Sequence, residues 1–310
     1  MINVFKSVYN FAVWIYRVYF NADQIIGRYP TVKAKDHRVN LFDYHPEISL
    51  GNTFTDNRWN LGDSLGFVVT SFMLGKKGYS LDMPVKKRKH FGCIGSNVFS
   101  SFQHLTFWGG GVLCQPKQHY DKRLRFSRFL LRYPFSKFDF RAVRGPLTRD
   151  VVLKYGHQCP EVYGDPAILM PYIYTPQCEV THDFLVIPQF FTEADFRQRY
   201  PNIFMVSMNT DDYKSVIDAI ASSKKVITSS LHGIILAEAY GVPAVFFRGL
   251  GKNIDFKYLD YYYSTGRCNI YIADSFEEAL KMEPLPLPDL KTLQEGLLKT
   301  FPYDLWEDNL

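Results

Sequence analysis

The chain has 310 residues, of which 46% are hydrophobic and 22% are charged, and this balance excludes an intrinsically disordered protein. Its length suits two domains, each able to bury a core of its own. A formal net charge of +5 does not require nucleic acid as a partner, because an anionic small substrate or a lipid surface would suffice.

The chain begins with a predicted amphipathic helix over residues 4–20, in which apolar side chains recur at helical spacing. Lys6, Asn10 and Arg17 interrupt the apolar run and no small-residue cleavage site follows, so we expect neither a signal peptide nor a membrane span. The apolar face would either line a domain core or rest in a membrane interface. A helix predicted over residues 120–133 leaves a similar choice, since its basic face is either solvated or turned to anionic lipid head groups.

The first half of the chain continues with strands that alternate with helices, a pattern typical of a parallel sheet. The strands are predicted at residues 39–44, 91–95, 105–108 and 138–143. Open α/β sheets bind ligands in the crevice at the carboxyl ends of their strands. The turns that follow these strands are therefore the first places to search for a site.

Four residues of this half are candidates for the site. Asp63 precedes a helix predicted over residues 65–74 and is either a plain N-cap or a polar group facing a cleft. Gly110 lies in a run of three glycines that would let a ligand or another backbone approach closely. Arg144 follows a strand end, where its guanidinium either binds a carboxylate or phosphate in the crevice or serves as a surface or capping residue. Asp165 occupies a turn between glycine and proline.

A stretch without periodicity over residues 170–178 predicts an interdomain linker, which gives one domain over residues 1–170 and a second over residues 178–310. Beyond it the alternation restarts, with strands at residues 182–187, 203–207 and 225–228 and helices at residues 193–199, 211–222 and 231–240. Two helices, at residues 274–282 and 290–301, form the tail. Two consecutive α/β units would form two Rossmann-like domains facing a cleft, which matches the glycosyltransferase-B architecture.

The most distinctive stretch, residues 225–247, combines a strand, a sharp turn, a short helix and a second strand. Ser230 is a good helix N-cap. Leu231, His232 and Gly233 occupy the first helical turn, where unpaired N–H groups and the helix dipole favour a phosphate or carboxylate. A histidine there donates to the anion or transfers a proton near neutral pH. The alternative is structural: a cap, a close-packed glycine and a hydrogen-bonded buried histidine.

Further basic residues follow this unit. Arg248 and Lys252 lie just past the strand end and would reach the cleft. An aromatic helix predicted over residues 256–267 carries Lys257 and Arg267, whose roles the sequence leaves open. That helix would either stack against a sugar or pack in the core.

The motifs of the chain, taken in order, resemble those of the polysaccharide pyruvyl transferase family. The matching pieces span residues 60–266: NLGDSLG, FWGGG, RAVRGPLTRD, GDPAIL and SSLHGIILAEAYGVPAVFF. The segment FKYLDYYYSTG is similar to the bacterial exopolysaccharide ketal-pyruvate transferase branch.

The resemblance implies an enzyme that transfers the enolpyruvyl group of phosphoenolpyruvate to two hydroxyls of a hexose, often galactose, and releases phosphate. The product would be a cyclic pyruvate ketal on a growing or lipid-linked unit of a surface polysaccharide, of the exopolysaccharide or capsular kind. It also implies that His232 is the histidine of the family's Leu-His-Gly motif and that Arg144 is a donor ligand. Many members have arginine where this chain has Ser230, so another cation would replace it or the donor would differ; of Arg248, Lys252 and Arg267 we favour Arg248.

Phosphoenolpyruvate carries a carboxylate and a phosphate, so its site needs fixed cations and N–H donors, which Arg144, Arg248 and the helix start at His232 would supply. His232 would act as acid or as phosphate donor, while Asp63 or Asp165 would orient or deprotonate the acceptor. Phosphoenolpyruvate is expected as co-substrate without any cofactor, and no metal is expected, because no cluster of His, Cys and Asp suggests one. The partners would be phosphoenolpyruvate and a glycan or lipid-linked saccharide, and no nucleic acid.

The five cysteines are scattered without a CxxC pair, so neither zinc nor a disulfide framework is indicated. A cytoplasmic location fits best, with peripheral contact to the inner face of the plasma membrane left open. Two rival functions remain: a nucleotide-sugar-dependent glycosyltransferase of the same architecture, and a non-catalytic scaffold that binds polysaccharide or phosphate. Stabilisation by uridine-diphosphate sugars would favour the first, and phosphate release with a suitable acceptor would exclude the second.

Overall fold

The computed structural model describes residues 39–41, 60–81, 83, 89–98, 104–113, 137–249 and 255–307. The helices predicted over residues 4–20 and 120–133 lie outside the described residues, and so does Lys252. None of the helices in the described part of the chain is long and apolar enough to cross a membrane.

Seven strands form two parallel sheets within the described residues, which confirms the α/β fold. The first sheet has four strands in sequence order: β1 (Val39–Leu41), β2 (Lys89–Gly92), β3 (His104–Trp108) and β4 (Lys137–Ala142). The second has three, again in sequence order: β5 (Leu185–Ile187), β6 (Val226–Thr228) and β7 (Ala244–Phe246). Every described neighbour pair in both sheets is parallel.

The helices of the described residues share hydrophobic clusters with the strands of these sheets, which buries the sheet faces. They are α1 (Leu61–Gly75), α2 (Pro146–Lys154), α3 (Glu193–Arg199), α4 (Tyr213–Ala221), α5 (Leu231–Ala239), α6 (Asp255–Ser264), α7 (Phe276–Lys281), α8 (Lys291–Thr300) and α9 (Asp304–Glu307). Short 3-10 helices occupy Pro166–Tyr172 and Phe190–Thr192.

The core follows the alternation of side chains along the strands. In the second sheet, Leu185, Ile187 and Val226 face a large central cluster, whereas Val186 and Ile227 face a smaller cluster with the buried side chains of α3 and α7. The central cluster also contains Leu65 of α1 and Trp108 of β3, so it joins the two sheets into one packed structure. The two halves of the chain thus share one hydrophobic core.

The 3-10 helix Pro166–Tyr172 lies between the two halves of the chain and contacts both α1 and α5. The linker predicted over residues 170–178 therefore begins inside a packed element, because Met170 is fully buried in the central cluster. Irregular chain follows from Ile173 onwards. The proposed domain boundary stays a prediction.

Helices α8 and α9 contact the first sheet. The indole Nε1 of Trp108 donates to the carbonyl of Leu297 at 3.1 Å, and Arg141 forms an ion pair with Asp304 at 2.9 Å. Tyr303 donates to the carbonyl of Met73 at 2.9 Å. Residues of α8, α9 and the turn between them thus pack against the first half of the chain.

Two element predictions need correction, and one helix was missed. Helix α1 begins at Leu61 instead of residue 65, so Asp63 lies within its first turn and Asn60 is the N-cap. The strand predicted over residues 203–207 is wrong: Met205 alone bridges Val186, because the chain at this sheet edge turns away through Ser207, which hydrogen-bonds to Glu193. The short helix α9 was not anticipated.

Candidate functional site

A cavity of about 280 Å³ opens where the carboxyl ends of the two sheets approach each other. Its first wall comes from α1, the turn after β2 and the turns after β3 and β4; its second comes from the turn after β5, the start of α5 and α6. Parallel strands direct their following turns to one edge, which explains why segments far apart in sequence meet here. The charged side chains that line it are Asp63, Arg144 and Lys257, beside the imidazole of His232.

The start of α5 is fixed by the strand before it. The Thr228 hydroxyl donates to the Ile187 carbonyl at 2.6 Å and accepts from the Ser230 N–H at 2.9 Å, which locks the turn between β6 and the helix. A side chain at Gly233 would place its Cβ 2.3 Å from Thr228 Oγ1, so glycine is needed for the helix to approach the strand. Ser230 is the N-cap, as predicted, but its side chain makes no capping hydrogen bond.

His232 lies in the first turn of α5 and lines the cavity, with Asp165 behind it. His232 Nε2 lies 3.7 Å from Asp165 Oδ2, and neither atom has a hydrogen-bond partner within the described residues. The other carboxylate oxygen of Asp165 accepts from the Ala167 N–H at 3.1 Å, which anchors the fully buried side chain. Asp165 is not part of the cavity wall, so the geometry suits a residue that orients the histidine.

The imidazole of His232 also packs against α1. A Cβ added at Gly62 would lie 1.8 Å from His232 Nδ1, so the ring occupies the space that any other residue would need. The first half of the chain thus fixes the position of a side chain from the second half.

Arg144 is fully buried and forms part of the cavity wall. Its Nη2 donates to the Val112 carbonyl at 2.6 Å, and its Nε lies 3.3 Å from Asp260 Oδ2. Asp260 in turn accepts from the Thr148 N–H at 2.9 Å and the Thr148 hydroxyl at 2.6 Å. The Nη1 of Arg144 has no hydrogen-bond partner among the described residues, which leaves a buried donor for a ligand.

Asp260 is the carboxylate that holds this arginine. Burial raises the pKa of Asp260, and the Arg144 charge together with the Thr148 hydrogen bonds opposes that rise. A buried guanidinium without such a partner would be strongly destabilising.

Asp63 lies in the first turn of α1 and lines the cavity. Its Oδ2 accepts from the Asn60 side-chain amide at 2.8 Å. Lys257, which the sequence left open, extends from α6 into the same wall. Burial and the neighbouring Arg144 lower the pKa of Lys257 to about 8, and Asp63 acts in the opposite direction.

The structure does not bring every predicted residue to this cavity. Arg248 is bound by Asp255 at 3.3 Å and by Asp274, and it is absent from the described cavity wall. Arg267 forms two hydrogen bonds to Glu238, at 2.6 and 2.8 Å, near the opposite end of α5. Neither arginine is placed to contact a ligand in the cavity.

Gly110 and Gly233 serve close packing and are likewise absent from the described cavity wall. A Cβ at Gly110 would lie 2.1 Å from Asn97 Oδ1, and the Gly110 carbonyl accepts from the Arg144 N–H at 3.0 Å. Leu231 does line the cavity, together with Ser230.

Several lining residues were missed by sequence reasoning: Asn60, Ser96, Gln189, Phe190, Phe191 and Met208. Three of them, residues 189–191, follow the strand β5. The rule that ligands bind beyond the carboxyl ends of parallel strands would have pointed to this turn, had it been applied to β5 as it was to β4.

A family model matches the part of the chain that contributes several residues of this site. Residues 105–249 match the family model described as polysaccharide pyruvyl transferase. This match supports the family resemblance of the sequence motifs. The matched segment contains Arg144, Asp165 and His232, and it ends before α6 begins.

A curated protein is similar to part of the chain. It is described as "Uncharacterized protein L143" of Acanthamoeba polyphaga mimivirus and is 26% identical over 183 residues. The aligned stretch covers 56% of this chain and 58% of that protein. The alignment thus spans less than two thirds of the relative.

Proposed function

We propose that the protein transfers the enolpyruvyl group of phosphoenolpyruvate to two hydroxyls of a hexose in a surface-polysaccharide precursor, forming a cyclic pyruvate ketal and releasing phosphate. The observation that carries the proposal is the cavity in which Arg144 and His232, both within the family-matched segment, line one anion-favouring space. Galactose is the expected acceptor sugar, on a growing or lipid-linked unit. No further cofactor is proposed.

The donor would bind between Arg144 and the start of α5. Phosphoenolpyruvate presents a carboxylate and a phosphate, and a planar guanidinium matches either group. The first-turn N–H groups of α5 and the positive end of its dipole add donors for the second anion. The buried Nη1 of Arg144, without a partner in the described structure, supports a ligand contact at this point.

The reaction requires two carbon–oxygen bonds to form at C2 of the donor while the bond from C2 to the phosphate oxygen breaks. One hydroxyl proton ends on the methylene carbon, which becomes the methyl group, and the other leaves with phosphate. We assign His232, oriented by Asp165, as the acid that delivers a proton, either to the methylene carbon or to the leaving phosphate. Asp63 is assigned as the group that orients or deprotonates the acceptor hydroxyls.

The two-domain arrangement belongs to the same proposal. The first half of the chain, with Asp63, would present the acceptor, and the second half, with α5, would bind the donor. Two Rossmann-like domains of the glycosyltransferase-B type would suit this division, and the two parallel sheets that meet at the cavity support it. A cytoplasmic site with peripheral membrane contact would give access to a lipid-linked acceptor.

The proposal is tested by incubating the protein with phosphoenolpyruvate and a panel of galactosides and other hexosides. We expect one acceptor to gain the mass of a pyruvate ketal with release of phosphate. His232→Ala is the matched negative control. Stabilisation by uridine-diphosphate sugars, with none by phosphoenolpyruvate and no ketal product, would overturn the proposal in favour of a glycosyltransferase.

A further inference from the structure

Helix α6 lies beyond the family-matched segment and contributes two charged side chains on one face, three residues apart. Asp260 is fully buried and forms the ion pair with Arg144. Lys257, one turn earlier, lines the cavity. The helix therefore contributes to the site in two ways.

The charges in the cavity wall are unequally compensated. Arg144 is paired with Asp260 at 3.3 Å, so its charge is largely balanced inside the protein. Lys257 forms no ion pair with any carboxylate in the described part of the chain, and its ammonium lies 4.9 Å from the centre of the Tyr258 ring. A half-buried ammonium without a carboxylate partner gains from an anion placed against it.

We propose that Lys257 is the second cation of the anion site and binds the phosphate or the carboxylate of the donor, opposite the contact made by Arg144. The inference rests on the proposed function for the identity of the donor. It assigns a role to a residue whose role the sequence left open and which lies outside the matched family segment, and it explains how a neutral Ser230 at the N-cap is compatible with a ligand that carries two anionic groups.

The electrostatic surroundings of Lys257 agree with this role. Burial and Arg144 hold its pKa at about 8, while Asp63 favours the charged form. The imidazole of His232 is the remaining titratable group of the described cavity wall, and Asp165 lies behind that ring. An anion bound between Lys257 and Arg144 would stabilise the charged ammonium and raise its pKa.

The test compares Lys257→Met with Lys214→Met, measuring the affinity for phosphoenolpyruvate by calorimetry near neutral pH. Lys214 is a suitable control, since its ammonium also lies over a tyrosine, 5.6 Å from the Tyr174 ring, outside the described cavity wall. We expect Lys257→Met to weaken binding by about tenfold or more, with the same melting temperature or a higher one for the unliganded protein, because a poorly solvated charge is removed. Lys214→Met should bind like the wild type.

Binding by Lys257→Met within about twofold of the wild type would overturn the inference. If that variant does not unfold cooperatively, Lys257→Gln replaces it under the same criterion, and Lys257→Arg should recover most of the affinity.

The outcome is separable from that of the proposed function. A wild-type protein that binds uridine-diphosphate galactose and not phosphoenolpyruvate would refute the proposed reaction. The same variants measured with the nucleotide sugar would then decide the role of Lys257. If the wild-type protein bound none of phosphoenolpyruvate, inorganic phosphate and the nucleotide sugar, both proposals would be overturned.

Discussion

His232 Nε2 lies 3.7 Å from Asp165 Oδ2, although the two residues come from different halves of the chain. Both atoms lack a hydrogen-bond partner among the described residues, and the carboxylate is fully buried. The imidazole of this pair lines a cavity whose wall also includes Arg144 and Lys257. All but the last of the predictions below follow from the contacts that hold these four residues.

Replacing His232 by alanine should abolish ketal formation while the protein remains folded. Asp165→Asn should keep the shape of the pair but lower kcat by about 10²-fold, because a neutral amide stabilises a protonated imidazole less than the carboxylate does. Steady-state kinetics should show little change in KM for phosphoenolpyruvate. The exposed Asp195→Asn is the control, and near-normal turnover of His232→Ala would refute the assignment.

Gly62→Ala should displace the His232 ring, since the new Cβ would lie 1.8 Å from Nδ1. A misplaced catalytic group of this kind costs about 10²-fold in rate. Gly75→Ala, at the end of the same helix, meets no atom within 4 Å and should retain activity. Equal turnover of the two variants would show that the position of the ring is unimportant.

Asp260→Asn should destabilise the protein by about 3–5 kcal/mol, because it leaves the buried Arg144 charge without its carboxylate. Urea unfolding measures this loss. Asp183→Asn removes the partner of an exposed ion pair with Lys224 and should leave the free energy of unfolding unchanged. A small effect of Asp260→Asn would mean that Arg144 is held by its other contacts.

Arg144→Ala should remove the rise in melting temperature that phosphoenolpyruvate is expected to give the wild-type protein. Its guanidinium is the buried donor that the ligand would use. A preserved shift in the folded variant would exclude Arg144 from the donor site.

The affinity for phosphoenolpyruvate should fall as the pH rises above about 8, because the pKa of Lys257 in the unliganded protein lies there. The sign follows from linkage: below this pH the ammonium is already charged, and above it binding must take up a proton. Lys257→Arg should flatten the decline, since a guanidinium stays charged throughout. Calorimetry between about pH 7 and pH 10 measures the slope, and identical profiles of the two proteins would contradict the prediction.

Phe191 lines the cavity with 66% of its surface exposed, an arrangement suited to stacking against an acceptor sugar. Phe191→Ala should raise KM for the acceptor by about tenfold while the melting-temperature shift with phosphoenolpyruvate persists. Tyr271, which is 72% exposed outside this cavity, gives the control variant Tyr271→Ala. An unchanged acceptor KM would place the sugar elsewhere.

The alternation of strands and helices predicted the α/β fold because each signal is local. The position of His232 in the first turn of α5 and that of Arg144 beyond β4 are local in the same sense, since a strand, a turn and a helix start decide them. The prediction of a strand over residues 203–207 was wrong because this segment lies at a sheet edge, where pairing depends on a neighbour distant in sequence.

Sequence alone thus determined the fold class, the family motifs and the residues that stand beyond strand ends. Only the tertiary structure decided which cations face the cavity. The sequence favoured Arg248 and left the role of Lys257 open, but Asp274 and Glu238 bind Arg248 and Arg267 elsewhere, whereas Lys257 of α6 lines the cavity. Such choices depend on carboxylates far away in the chain, and no local pattern of residues encodes them.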